Sequence, residues 1–347
     1  YDHNMPAGTT SYIRIDFEET ILNALLGGSL GNIVSGLVDG LILGDHFFRV
    51  EVKDENGAIV DTASSNQASA GGNDAIRIVQ DAGGRFYIAV TPTAAYRSIR
   101  ITDGTDSALG LLAQPNTMNV YGMCTDLVTD PCFKAFATSY EHTGLSLSIN
   151  DLGGAGVTNM EYAINQNTQH YSEISNGTLA VGAGTKQWIF FNSISPGHNP
   201  AVIKFKTEGG GIDLDLLGGL EIKAYLNNQE VAQLDFQDGI VNGVNVLDLL
   251  NNNQLVELPF YPNSDYNRIS VGIKTLVQAS VFPPVHLYEV ERVCDTSSDP
   301  DLFCTESVDG EPFQWFYTGG TGSISESMIQ PGTNGGFQFD IYRLDNS

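Results

Sequence analysis

Four cysteines are the residues of this chain whose spacing most directly implies chemistry. They fall as two local pairs, Cys124 with Cys132 and Cys294 with Cys304, with seven and nine residues between them. Each intervening loop holds an Asp-Pro step, Asp130-Pro131 and Asp299-Pro300, which turns the chain so that two thiols can meet. An even count at such spacings reads as two disulfides in an oxidising compartment. No Cys-x-x-Cys and no neighbouring His offers the four ligands of a zinc site.

The same loops carry hard oxygen donors. Asp295, Asp299 and Asp301 in the second loop, with Asp126 and Asp130 in the first, could hold calcium on a turn. Asp before Pro is also a common turn former, and no Asp-x-Asp-x-Asp-Gly loop is present, so a purely structural role stands beside the calcium one. Sugar recognition needs exposed aromatics beside amides, and Tyr162, Asn165, Asn167, His170 and Tyr171 supply both within ten residues. Trp188 extends that set, although core packing explains it as well. The six histidines sit in no recognisable nucleophile motif. Asp213 and Asp215 alternate with leucines, so on a strand both would point to one solvated face rather than form a catalytic pair.

Composition bounds the rest. With 347 residues, 41% apolar and 16% charged, and with 38 glycines, the chain suits two domains or two and a fragment, built from many short strands and turns. A net charge of −25 disfavours nucleic acid and anionic membrane surfaces as partners, since both need a positive face. No apolar run reaches the roughly 18 residues of a membrane span. The opening Tyr1-Asp2-His3-Asn4 lacks the basic and apolar regions of a signal peptide, so the chain reads as starting inside a longer protein or at a processed end.

The elements that must position these residues repeat. Cys294 follows Cys124 by 170 residues, and Cys304 follows Cys132 by 172. Tyr96-Arg97-Ser-Ile-Arg100-Ile before the first pair parallels Tyr266-Asn267-Arg268-Ile-Ser-Val before the second. His3-Asn4 through Phe17 matches His198-Asn199 through Glu208, and Leu25-Leu26-Gly27-Gly28 matches Leu216-Leu217-Gly218-Gly219. His46 to Gly57 parallels Leu220 to Asn228, each an alternating strand that ends in an Asn turn. The predicted architecture is all-β: tandem antiparallel β-sandwich modules, jelly-roll or Ig-like, with the first and last incomplete. Residues 1–132 form a module lacking its N-terminal strands, 133–304 a complete module of the same type, and 305–347 the start of a third, different one. A sandwich short of its opening strands exposes a sheet edge, which a neighbouring segment or chain must cover. Two helix-like stretches, 23–43 and 239–250, read as loop and strand with at most a short turn of helix, because six glycines interrupt the first.

Met5-Pro-Ala-Gly-Thr-Thr10 leading into a strand, the Leu-Leu-Gly-Gly stretch and the closing Tyr-x-Arg-Ile strand resemble tandem modules of large secreted Bacteroidota surface proteins. These are similar to type 9 secretion cargo, including gliding-associated adhesins. The segment from Tyr162 to Glu173 resembles the opening of discoidin-like, galactose-binding jelly rolls, though Asn165 and Asn167 stand where that pattern usually has acids. The resemblance implies an extracellular location and a binding role for Asn165, Asn167 and Tyr171. It also implies O-glycosylation at Thr62 and Ser107, which sit in Asp61-Thr62-Ala63 and Asp106-Ser107-Ala108.

The expected function is therefore a non-enzymatic structural or adhesive segment of a repetitive cell-surface protein, with calcium as the one cofactor considered. Its partners are neighbouring modules of a longer chain, glycans and other surface proteins. The alternative is a carbohydrate-binding region of a secreted protein that acts on polysaccharides.

Overall fold

The computed structural model describes residues 1–17, 19–27, 46–65, 75–105, 117–126, 134–145, 156–177, 181–208, 211–275, 283–293, 330–331 and 337–341. Strands β1 to β7 are Ser11–Asp16, His46–Lys53, Ile59–Ser64, Ile76–Asp81, Phe86–Val90, Ser98–Thr105 and Asn119–Thr125. Strands β8 to β14 are Ala135–Leu145, Gly156–Thr158, Ser172–Ser175, Val181–Ser195, Ala201–Thr207, Leu220–Leu226 and Gln229–Gln233. Strands β15 to β21 are Ile240–Val241, Val244–Asn245, Val256–Phe260, Tyr266–Lys274, Val285–Arg292, Gln330–Pro331 and Phe337–Ile341. The fold is all-β, and the chain divides into two compact units. Among the described residues no helix is long and apolar enough to cross a membrane.

The second unit comprises Val79–Gly84 and Asp126–Asp301. One of its sheets runs β14-β13-β18-β11-β8, and the other β17-β12-β19-β10-β9. Successive long strands alternate between the two sheets, as in a jelly roll. Sequence periodicity explains the layering. In β12, Ala201, Ile203, Phe205 and Thr207 are buried while Val202, Lys204 and Lys206 are half-buried, the period of two expected for a strand with one face on the core. β18 is buried along its length up to Lys274, with paired strands on both sides.

The first unit comprises Tyr1–Ile78, Arg85–Thr125 and Leu302–Ser347. It repeats the inner plan of the second. Its sheets contain the orders β5-β1-β7 and β3-β2-β6, against β17-β12-β19 and β14-β13-β18. Ile13 faces Ile88 as Ile203 faces Leu258, and Val50 faces Ile101 as Ile222 faces Val271. The β1–β7 ladder slips between Arg14 and Ile15, and the β12–β19 ladder between Lys204 and Phe205. Each slip bulges one tyrosine out of the pairing, Tyr121 in one unit and Tyr288 in the other. Tyr96 and Tyr266 are wholly buried, and their hydroxyls donate to the carbonyls of Thr9 and Asn199 at 3.1 and 3.2 Å.

Strand register corrects parts of the sequence alignment. His198 is the counterpart of Gly8 rather than of His3, because the equivalent bulges align Lys204 with Arg14. The Leu-Leu-Gly-Gly stretches close short helices, α1 at Glu19–Leu25 and α2 at Leu214–Leu217. A further helix, α3, spans Val246–Asn251. Asp213 therefore stands at a helix N-terminus, not on a strand. Its Oδ1 accepts from the Leu216 backbone N–H at 2.7 Å, the capping geometry that a short acidic side chain provides. Residues 302–347 group with the first unit, and β21 pairs with β6 there.

Candidate functional site

The sequence-expected binding residues lie in the second unit. A 3-10 turn, Met160–Ile164, anchors the segment through buried Met160, Ala163 and Ile164, and begins at Asn159 with φ 50°. Asn tolerates that left-handed conformation better than most residues. Asn165 Oδ1 then accepts from the Asn167 N–H at 2.9 Å, and Asn167 Oδ1 accepts from the Gln169 N–H at 3.1 Å. These two Asx turns fix the loop and leave both side-chain amides directed at His170, whose ring nitrogens lie 3.3–3.4 Å away. The His170 ring sits 4.6 Å from that of Tyr162.

Beyond the loop, Tyr171 enters β10 on the outer face of the sheet. There it stacks nearly flat on His286, with centroids 4.0 Å apart and planes 16° apart, and lies 5.4 Å from Tyr288. His286 comes from β19, where Glu173 faces it from one side and Lys206 from the other. Tyr288 shares the outer face of His286 by the strand period of two, and the extra residue in β19 leaves Glu289 on that face as well. Tyr171 is 36% exposed and His286 only 7%.

His286 Nε2 is buried without a hydrogen-bond partner and lies 3.7 Å from a Glu173 carboxylate oxygen. Burial holds this imidazole below its ordinary range, and Lys206 pushes the same way. Glu173 and Glu208 only partly oppose them. The ring is therefore neutral at pH 7 and forms a flat, apolar support for Tyr171. On the same face, Lys204 Nζ donates to Glu289 at 2.7 Å and to Glu291 at 2.9 Å. Burial would lower this ammonium, but the two carboxylates outweigh it and hold Lys204 well above its ordinary range. Rigid aromatic faces flanked by amides and a carboxylate can stack on a ring of C–H groups and bond its hydroxyls.

Trp188 does not belong to this patch. Gln187 points inward, with Ser172 Oγ donating to its Oε1 at 2.6 Å and its own Nε2 donating to the Met160 carbonyl at 2.8 Å. Trp188 therefore faces out from the opposite sheet. It packs 4.7 Å from Tyr225, and its indole N–H donates to Glu141. Thr62 is exposed on β3, and its hydroxyl donates to the Val50 carbonyl at 3.0 Å. Ser107, Asp295, Asp299 and Asp301 lie outside the described residues. Cys124 is 7% exposed and disulfide-bonded, while Cys132, Cys294 and Cys304 lie outside the described residues. Among those residues, no group of three or more His, Cys, Asp or Glu side chains is placed to hold a metal ion.

To the Asn165, Asn167 and Tyr171 named from the sequence, strand pairing adds His286, Tyr288 and Glu173 as neighbours. The signal available was strand alternation, which sets Glu173 on the face of Tyr171 and sets His286 and Tyr288 on one face of the closing strand.

No protein-family model matches the chain, and no curated protein matches it significantly. A solved structure described as "Lectin Domain of Lectinolysin complexed with Lewis B Antigen" is similar over 49% of this chain and 100% of its own, at 15% identity and a TM-score of 0.27. The all-β assignment rests on the chain's own sheets.

Proposed function

We propose that this chain is a non-catalytic, extracellular adhesive segment whose second unit holds glycans on the aromatic patch around Tyr171. One observation carries the reading: Tyr171 is exposed on one face while the other lies 4.0 Å from the buried His286 ring. A ring already fixed in this way loses little conformational freedom when a sugar stacks on it. The amides of Asn165 and Asn167 and the carboxylate of Glu173 supply donors and acceptors for hydroxyls. The disulfide at Cys124 supports an oxidising setting, the one implied by the resemblance to secreted surface modules. In that setting the partners are glycans and the neighbouring modules of a longer chain.

The test is a glycan array with the full chain, run with and without a calcium chelator. A restricted set of glycans should bind. Tyr171→Ala should abolish that binding, Asn167→Ala should weaken it, and Trp188→Phe on the opposite sheet should leave it intact. The chelator arm tests calcium at Asp295, Asp299 and Asp301. Silence from folded protein across the array would remove the glycan assignment and leave a spacer. Turnover of a polysaccharide would remove the non-catalytic one.

A further inference from the structure

The two units fill one equivalent position in different ways. In the second unit β18 has β11 on its free side, with Gln187 facing Val271 and Ile189 facing Ile269. The matching strand of the first unit is β6, since Ile101 and Ile99 face Val50 and Val52 as Val271 and Ile269 face Ile222 and Ala224. On β6 the neighbour is β21, with Phe339 facing Ile101 and Ile341 facing Ile99. Phe339 and Ile341 thus take the register positions of Gln187 and Ile189, in the same antiparallel sense.

The aromatic ring beyond this strand also has a different source in each unit. Two residues after Ile189, β11 delivers Phe191, whose ring meets Tyr266 edge-on at 6.3 Å and 86°. The first unit places Tyr1 against Tyr96 at 5.7 Å and 83°, and the Tyr1 ammonium donates to the Arg97 carbonyl at 2.9 Å. One continuous strand does both jobs in the second unit. In the first, the strand and the ring come from segments far apart in the sequence, so no short connection ties the strand to the slot it fills.

We propose that the β6 edge of the first unit is a donor-strand site, and that its partner in assembly is a second copy of this chain supplying Phe337–Ile341. An unfilled β6 would present a row of backbone donors and acceptors beside buried Ile99 and Ile101, which is a template for any matching strand. Exchange between copies reuses the same register and needs no new interface. Donor and acceptor are different surfaces, so exchange closes a pair when two copies swap reciprocally and builds a head-to-tail chain when they do not. Within one chain the 44 residues 293–336 link β19 to the donor segment. Such a tether gives an effective concentration of about 1 mM, and copies crowded above that level exchange.

Register pairs provide the test. Gln338 faces Thr102, so full chains carrying Thr102→Cys are mixed with full chains carrying Gln338→Cys at about 1 mM and oxidised. The linked 102–338 peptide is then sought by mass spectrometry of the non-reduced dimer. Heterodimer should exceed, by several-fold, that from an Arg100→Cys and Gln338→Cys control set two residues out of register. The double variant Thr102→Cys/Gln338→Cys should give covalent dimers and larger oligomers. A double variant that links only within its own chain, or mixed single variants that yield no 102–338 peptide, overturns the proposal.

Discussion

Asn267 donates a 2.6 Å hydrogen bond to the carboxylate of Asp126, 141 residues earlier in the chain, and the two side chains are 0% and 1% exposed. Asn267 also donates to Asn227 Oδ1 at 2.9 Å and accepts from the Asn227 N–H at 2.7 Å. It thereby ties the turn between β13 and β14 to the residue that opens the second unit. A hydrogen bond to a buried charge contributes about 1.5–3 kcal/mol, so Asn267→Ala should lower stability by that order. Asn267→Asp should cost more, because it sets a second carboxylate beside the first. Urea melts of both variants check this, and an Ala variant as stable as the parent would contradict the role assigned to Asn267.

His286 and His142 are both held below the ordinary histidine range by burial. A base with a depressed folded pKa takes up its proton in the unfolded chain first. Their contribution to stability is therefore fully present above about pH 6.5 and is lost as pH falls toward the folded values. Thermal melts between pH 7.5 and 5 should show a midpoint that drops on acidification, and the slope should flatten in His142→Gln/His286→Gln. Tyr171→Ala should move the His286 titration back toward its ordinary value, since burial is the main cause of the shift. An unchanged His286 titration by NMR would show that Tyr171 does not cover the ring.

Lys204 supports Glu289, whose side chain is 8% exposed, more than Glu291, which is 43% exposed. Removing the ammonium leaves the buried carboxylate unpaired. After allowance for the partial exposure of the cluster, Lys204→Met should cost about 2 kcal/mol. Lys204→Met/Glu289→Leu should recover most of that loss, because no charge is then stranded. Additive losses in the double variant would show that the pair is not coupled.

The repeat was legible in the sequence because alternation in stretches such as Ala201 to Thr207 and Tyr12 to Phe17 is what a one-sided strand requires. Its exact registration was not. Ile13 and Ile203 are 190 residues apart, Val50 and Ile222 172, Ile101 and Val271 170, and Val120 and Leu287 167. Loops of unequal length shift the spacing between strands, and the two cysteine spacings, 170 and 172, coincide with only two of these values. The candidate site was half legible for a related reason. Asn165, Asn167 and Tyr171 are close in sequence, whereas His286 and Tyr288 reach them through long-range strand pairing that no local pattern encodes. β21 was the hardest element to place, since a strand at one end of the chain gives no sign that it pairs with β6.

The disulfide of Cys124 makes the last prediction. A nine-residue ring closed by Cys124 and Cys132 removes about 2–3 kcal/mol of chain entropy from the unfolded state. The alternative partners, Cys294 and Cys304, would close rings of more than 170 residues. Closing those larger rings would cost about 2.6 kcal/mol more chain entropy, and local thiols meet far more often as the chain folds. Local pairing should therefore dominate. Peptide mapping without reduction should recover Cys124 linked to Cys132, and Cys294 linked to Cys304. Cys124→Ser/Cys132→Ser should lower the melting temperature of the second unit's transition or of the first without abolishing either fold, because Cys124 ends a strand that β1 already holds in register. Recovery of a Cys124–Cys294 peptide as the main species would reject local pairing and with it the reading of the two loops as independent clasps.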